Sequence, residues 1–332
     1  MFNLSNRYII IMYEKSMNTP ILITAWRRVE KLEKLIEAIK ENKPKKIYIS
    51  CDGPRNNNPT DKYLTKKVQK TIDELINWDC DIQKLYNYEN LGCRGAMVKA
   101  INWFFDNESE GIILEDDCIP NKEFIPYCSK LLKKYQKDYK VWNISGTNFQ
   151  NGITRGDGSY YLSKYFIGWG WATWRDRWLN FDSYLKSWVK AKEVILLKSI
   201  FTNPLEIKYW TNIFNRFYEK GIPDTWDIEW AYTCLINEGH TIIPNVNLVK
   251  NIGFDREATH TKFTIDQHSN NGLILPIIHP TFLINDKNAD KYTFYNHYQM
   301  NFKRRIKFIC KKPLYYPKRI LQIITMLFTK FR

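Results

Sequence analysis

The sequence predicts an α/β fold in which a mainly parallel, twisted sheet is flanked by helices. Two patterns predict it. Short apolar runs of strand length alternate with segments of helical period as far as Leu114, and each run ends in a polar loop. Alternation of this kind requires right-handed crossovers, and in such sheets ligands gather beyond the carboxyl ends of the strands. With 332 residues, 44% apolar and 15% aromatic, the chain has enough material to bury a full core as one large domain or a domain with an appendage.

The elements follow in order. Residues 1–17 read as an N-terminal extension. Pro20–Ala25 is a buried strand, and Val29–Ile39 carries apolar residues at Val29, Leu32, Leu35, Ile36 and Ile39, the spacing of an amphipathic helix. Lys46–Ser50 is a second strand running into Asp52-Gly53-Pro54, Tyr63–Ile76 a helix, and Asp81–Asn87 a third strand. A loop containing Asn90-Leu91-Gly92-Cys93-Arg94-Gly95 precedes the helix Ala96–Phe105, and Gly111–Leu114 is a strand ending in Glu115, Asp116 and Asp117. Beyond it the composition changes: eight tryptophans lie between Gly168 and Trp230. After about Lys262 the pattern weakens.

Three successive carboxylates after a buried strand are costly unless a cation or hydrogen-bond donors share the site. A hard divalent ion bridging carboxylate and diphosphate oxygens supplies that compensation. Asp52 also follows a strand end, where an acid accepts hydrogen bonds from a base or ribose while Gly53 permits a tight turn. Arg94, between two glycines at a helix start, is either a phosphate contact or a surface arginine. In Ile167-Gly168-Trp169-Gly170-Trp171 the glycines admit close backbone approach and the indoles suit sugar faces; most are core, and Trp169 is the first candidate for ligand contact.

Asp224-Thr225-Trp226-Asp227-Ile228-Glu229-Trp230 places acids between indoles four residues apart, which share a face if the segment is helical. Asp227 and Glu229 then point differently, so one of them faces an acceptor as a general base, or either is a cap. His260 is a phosphate or metal contact or a structural histidine.

Taken in order, these residues resemble the bacterial family-2-like GT-A glycosyltransferases that are similar to N-acetylglucosaminyltransferase I. The resemblance runs from about Asn18 to Gln267 and rests on Ile21–Ala25 with Arg27, Ser50-Cys51-Asp52-Gly53-Pro54, Asn90-Leu91-Gly92, the acidic triplet, Gly168-Trp169, the Trp226–Trp230 segment and Gly253-Phe254 with Thr259-His260. It implies a GT-A nucleotide-diphospho-sugar transferase fold over 18–267, a connecting segment at 268–300, a UDP-sugar donor with GlcNAc as the first expectation, Mn2+ or Mg2+, and an inverting single displacement. Asp52 would meet the uridine, Glu115 and Asp116 the sugar and ribose, and Asp117 the metal, with Arg27, Arg94, Trp169 and His260 completing the donor site. The base would be Asp227 in preference to Glu229. The pattern departs in one respect, since Ile228 separates the two acids where the eukaryotic relative has them adjacent.

The formal charge of +15 is a property of the tail. Ten Lys and Arg and no acid lie between Lys303 and Arg332, which leaves +5 for the rest. The segment 301–332 therefore reads as a basic amphipathic anchor for an anionic membrane surface, or as a helix packed on protein. A lipid-linked or glycan acceptor at the inner face of the cell membrane, in surface polysaccharide synthesis, would suit it. No recognised nucleic-acid motif accompanies the charge, so nucleic acid is not an expected partner. Seven cysteines without a C-x-x-C pair suit reduced thiols in a cytoplasmic compartment. No apolar run approaches the ~20 residues of a membrane span, and no secretory leader is expected.

Overall fold

The computed structural model describes residues 18–254, 272–273, 276–298 and 300. Its centre is an eight-stranded sheet in the order β3-β2-β1-β4-β8-β6-β9-β7. The strands are β1 (Ile21–Ala25), β2 (Lys46–Cys51), β3 (Asp81–Tyr86), β4 (Glu110–Glu115), β6 (Val141–Ser145), β7 (Tyr160–Ser163), β8 (Trp171–Trp174) and β9 (His240–Pro244). Strands β1 to β4 are mutually parallel, and β6 and β9 share their direction, so that β8 and β7 alone run the other way. The fold is thus α/β with a mainly parallel sheet, as expected. A separate antiparallel pair joins β5 (Cys118–Pro120) to β10 (Val249–Asn251).

The near-continuous apolar runs of β1 and β4 follow from burial on both faces. Ile21 and Ile23 enter one core cluster with helix α1 (Val29–Lys40) and helix α4 (Phe124–Tyr135). Leu22 enters another on the opposite face with Met97, Ile101 and Phe104 of helix α3 (Gly92–Asn107). All five apolar positions expected on the first helix, Val29, Leu32, Leu35, Ile36 and Ile39, are buried. Helix α2 (Pro59–Leu75) begins four residues before the expected Tyr63, because the Asn58 side chain caps it by accepting from Asp61 N at 3.1 Å and Pro59 occupies its first turn. Helix α3 likewise starts at Gly92 instead of Ala96.

Helix α5 (Arg175–Trp178) puts Trp178 on the α3 side of the sheet, while the short helices α6 (Trp188–Glu193) and α7 (Leu196–Ile200), with the longer α8 (Pro204–Lys220), pack an aromatic cluster in which Trp188, Trp210 and Phe214 meet Phe294 of helix α10 (Lys287–Asn296). Helix α9 (Asp227–Ile236) sends Trp230 into the α3 side of the sheet beside Trp226, Trp171 and Trp178. The expectation that these two indoles share a face holds, and both are buried. No helix among the described residues is long and apolar enough to cross a membrane. His260 and the tail 301–332 lie outside the described residues.

Candidate active site

The chain runs from β1 outward through β2 and β3 and then returns to β4 on the other side of β1. The loops leaving β1 and β4 therefore diverge, and the crevice between them is where α/β sheets of this kind bind ligands. Two adjoining cavities open there, of about 290 and 320 Å3. Arg28, Cys93 and Glu115 line both.

The first cavity lies over the ends of β1 and β2 and is bounded by Thr24, Trp26, Asp52, Arg55, Asn90 and Asp116. Asp52 organises it. Its carboxylate accepts from Gly53 N at 2.9 Å, Asn87 Nδ2 at 3.1 Å, Asn90 Nδ2 at 2.7 Å and Leu91 N at 3.1 Å, so one buried acid holds the loop that leads into α3. Gly53 is required for this, since a Cβ there would sit 2.4 Å from the Glu89 backbone. Burial nevertheless raises the Asp52 pKa, with the Leu91, Asn87 and Gly53 donors opposing. Trp26 Nε1 donates to Gly53 O at 2.9 Å, and the guanidinium carbons of Arg27 and Arg55 stand 4.7 and 5.2 Å from its ring centroid.

The second cavity is walled by Trp169, Trp226, Asp227, Asn251 and Phe254, with Asp117 at its base. Asp227 stands in the first turn of α9, where Thr225 Oγ1 donates to its Oδ1. The Trp169 ring is set edge-on against Phe149 and Phe254, with centroids 5.0 and 5.3 Å away. It is half-buried, whereas Trp171, Trp174, Trp178, Trp188, Trp210, Trp226 and Trp230 are all buried. Pairing of β5 with β10 brings Asn251 to the acids, with Nδ2 3.4 Å from Asp117 Oδ1.

The acidic triplet sits at the junction of the cavities. Arg28 Nη1 donates to Asp117 Oδ2 at 2.6 Å, and its Nη2 lies 2.8 Å from Asp116 Oδ1. Burial and repulsion from Asp117 raise the Glu115 pKa, and burial raises that of Asp116 against the pull of Arg28. Asp227 is close enough to contribute to the Glu115 shift. Hard oxygen donors suit a divalent cation. Asp117 fits one in the same way: it lines the cavity, and the lack of a Cβ at Gly253, which would stand 2.3 Å from its Oδ2, keeps protein carbon off the oxygen that Arg28 engages. No group of three or more His, Cys, Asp or Glu arranged to hold a metal by themselves occurs among the described residues. Remaining ligands would have to come from bound oxygens.

Asp52, Glu115, Asp116, Asp117, Trp169 and Asp227 thus converge on one crevice. Three other expected residues do not line it. Arg27 turns to Asp61, 3.0 Å away. Arg94 and Glu229 engage each other through two 2.7 Å contacts, and Arg94 also donates to Ser183 Oγ at 2.9 Å. Sequence reasoning passed over Arg28, Asn251 and Asp224, whose carboxylate accepts from Cys93 N at 3.1 Å at the start of α3. Arg28 had a visible signal as the second of two consecutive arginines after β1; Asn251 had none, since it reaches the site through pairing 133 residues distant from Cys118.

No protein-family model matches the chain, and no curated protein matches it. Among solved structures it is similar to the mannosyltransferase of Pyrobaculum calidifontis in complex with GDP-Man and Mn2+, at 12% identity and TM-score 0.33, covering 49% of this chain and 46% of that enzyme. It is also similar to an apo UDP-glucose pyrophosphorylase, at 12% identity and TM-score 0.37 over 70% of this chain and 91% of that one. A third is the glycosyltransferase GlyE of Streptococcus pneumoniae, at 12% identity and TM-score 0.31 over 75% and 57%. The match therefore spans less than half the length of the mannosyltransferase.

Proposed function

We propose that the protein is a divalent-metal-dependent, inverting glycosyltransferase of the GT-A type, similar to N-acetylglucosaminyltransferase I, that moves a sugar from a UDP-sugar to a glycan or lipid-linked acceptor. The observation that carries this reading is the single cleft in which the acids after β4 and the acid at the start of α9 are brought together beside a half-buried tryptophan. The cavity over β1 and β2 would take the nucleoside, the junction the diphosphate, and the cavity under Trp169 the sugar. A bound Mn2+ or Mg2+ would neutralise the departing diphosphate, with Asp117 as its protein ligand. Asp227 would take the proton from the acceptor hydroxyl. Glu229 is a weaker candidate, since its carboxylate is engaged by Arg94 and accepts from Tyr184 N at 2.5 Å.

The direct test is release of nucleoside diphosphate from UDP-, GDP- and TDP-sugars with and without Mn2+, for wild type and Asp117→Ala. Release from one UDP-sugar that is lost with EDTA and in the variant is expected, with GlcNAc as the first donor tried. An anomeric configuration unchanged between donor and product would rule out inversion. Two other readings predict different products. A sugar-phosphate nucleotidyltransferase would make the nucleotide sugar from sugar phosphate and NTP; the Gly-rich basic loop usual in such enzymes is absent from Ile21–Glu30. A non-catalytic carbohydrate- or lipid-binding module would give no turnover in either assay.

By the same reading the basic tail holds the enzyme peripherally at the inner face of the cell membrane, where surface polysaccharide would be built. Deleting residues 303–332 should then move the protein from the membrane to the soluble fraction. Unchanged fractionation would remove that part of the proposal alone.

A further inference from the structure

Arg28 stands at the end of the loop after β1, immediately before α1, and its two arms reach two consecutive carboxylates: Nη1 to Asp117 at 2.6 Å and Nη2 to Asp116 at 2.8 Å. Asp116 is 1% exposed, lines the nucleoside-side cavity, and neither of its oxygens makes a well-aligned hydrogen bond. Its charge is balanced by proximity to Arg28 more than by fixed donors. The guanidinium also lines both cavities, at the point where anything joining them must pass. We propose that Arg28 is an exchangeable counter-ion: it holds Asp116 and Asp117 in the donor-free protein, and it yields Asp117 to the divalent cation and turns to the diphosphate when donor and cation arrive together.

The inference rests on the function proposed above and follows from charge. A divalent cation alone would enter beside a guanidinium already paired with the ligand it needs. A diphosphate alone would approach three carboxylates whose nearest guanidinium, Arg28, is already paired with two of them. Together each supplies what the other lacks, because the cation takes Asp117 while the released guanidinium fork matches phosphate oxygens. Each ligand should therefore favour the other by the same factor.

The test is Mn2+ binding to the full chain, read from the loss of the free-ion electron paramagnetic resonance signal beyond the loss in protein-free nucleotide solution, with and without UDP, and with GDP and TDP in parallel, together with nucleotide binding without Mn2+ by equilibrium dialysis. Wild type should bind Mn2+ at least about tenfold more tightly with UDP than without it. Arg28→Ala should bind Mn2+ at least about tenfold more tightly than wild type when UDP is absent, and should lose most of the UDP enhancement. Arg28→Gln, which keeps donors but not charge, should behave as the alanine variant does, and circular dichroism establishes that both fold. Equal Mn2+ affinity in wild type and both folded variants overturns the proposal. So does full-strength UDP binding by wild type without Mn2+ that either variant abolishes, because Arg28 would then be a permanent substitute for the metal. If wild type binds neither Mn2+ nor any of the nucleotides, the glycosyltransferase reading itself falls.

Discussion

Asp227 and Glu229 lie two residues apart in the first turn of one helix, yet the fold gives them different surroundings. Asp227 lines the cleft, whereas Glu229 is fully buried and grips Arg94. Their variants should therefore separate cleanly. On the function proposed above, Asp227→Asn is expected to lower kcat by roughly 10^2 to 10^4, the usual contribution of a general base, with thermal stability near that of wild type. Glu229→Ala leaves a half-buried guanidinium without its carboxylate and should cost about 1–3 kcal/mol in urea unfolding. A stable, inactive Glu229→Ala beside an active Asp227→Asn would reverse the assignment.

At the scale of elements, the site is assembled by loops and helix ends that meet across long stretches of chain. Helix α10 contributes from its end: His297 stacks on Phe149 at 3.6 Å, and Phe149 in turn supports Trp169. Burial lowers the His297 pKa to about 4 from an ordinary value of 6.5. Above about pH 6.5 the ring is neutral in both folded and unfolded chains; as the pH falls, the unfolded chain takes up the proton first, so stability is lost down to about pH 4. His297→Phe keeps a ring against Phe149 without this liability. Its stability relative to wild type should be constant above pH 6.5 and improve below it, by at most about 1.4 kcal/mol per pH unit. Chemical denaturation at pH 7.5, 6 and 5 measures this, and parallel pH dependences would refute it. Asp290, which burial raises to about 6, titrates in the opposite sense in both proteins and so cancels in the difference.

For the whole molecule, ligand binding at the β1–β4 crevice must appear as folding stability, because its walls come from β1, β4, α3, α9 and β10 and exist together in the folded state alone. UDP with Mn2+ at a hundredfold excess over Kd should stabilise the protein by about 3 kcal/mol, seen as a rise of several degrees in Tm. EDTA should reverse most of that gain. A Tm indifferent to UDP and Mn2+ together would argue against a site for them in this crevice.

Much of this was legible without coordinates because it is local. Apolar periodicity marked β1, α1, β2 and β4, since both burial and helical spacing are properties of neighbours in sequence. The triplet Glu115-Asp116-Asp117 announced a site by its own electrostatic cost, and Gly53 a tight approach by its lack of a Cβ. The starts of α2 and α3 were misread by four residues, because a first turn needs a cap and not an apolar stripe, and Gly92 reads as loop chemistry. What folding alone decided is partnership. Whether Arg27 or Arg28 meets the acids depends on where the loop after β1 points each side chain, and whether Arg94 meets a ligand depends on Glu229, 135 residues away. Charge and periodicity are written residue by residue, but the counter-ion of a buried charge is whichever group the packing of distant elements brings within a few ångströms.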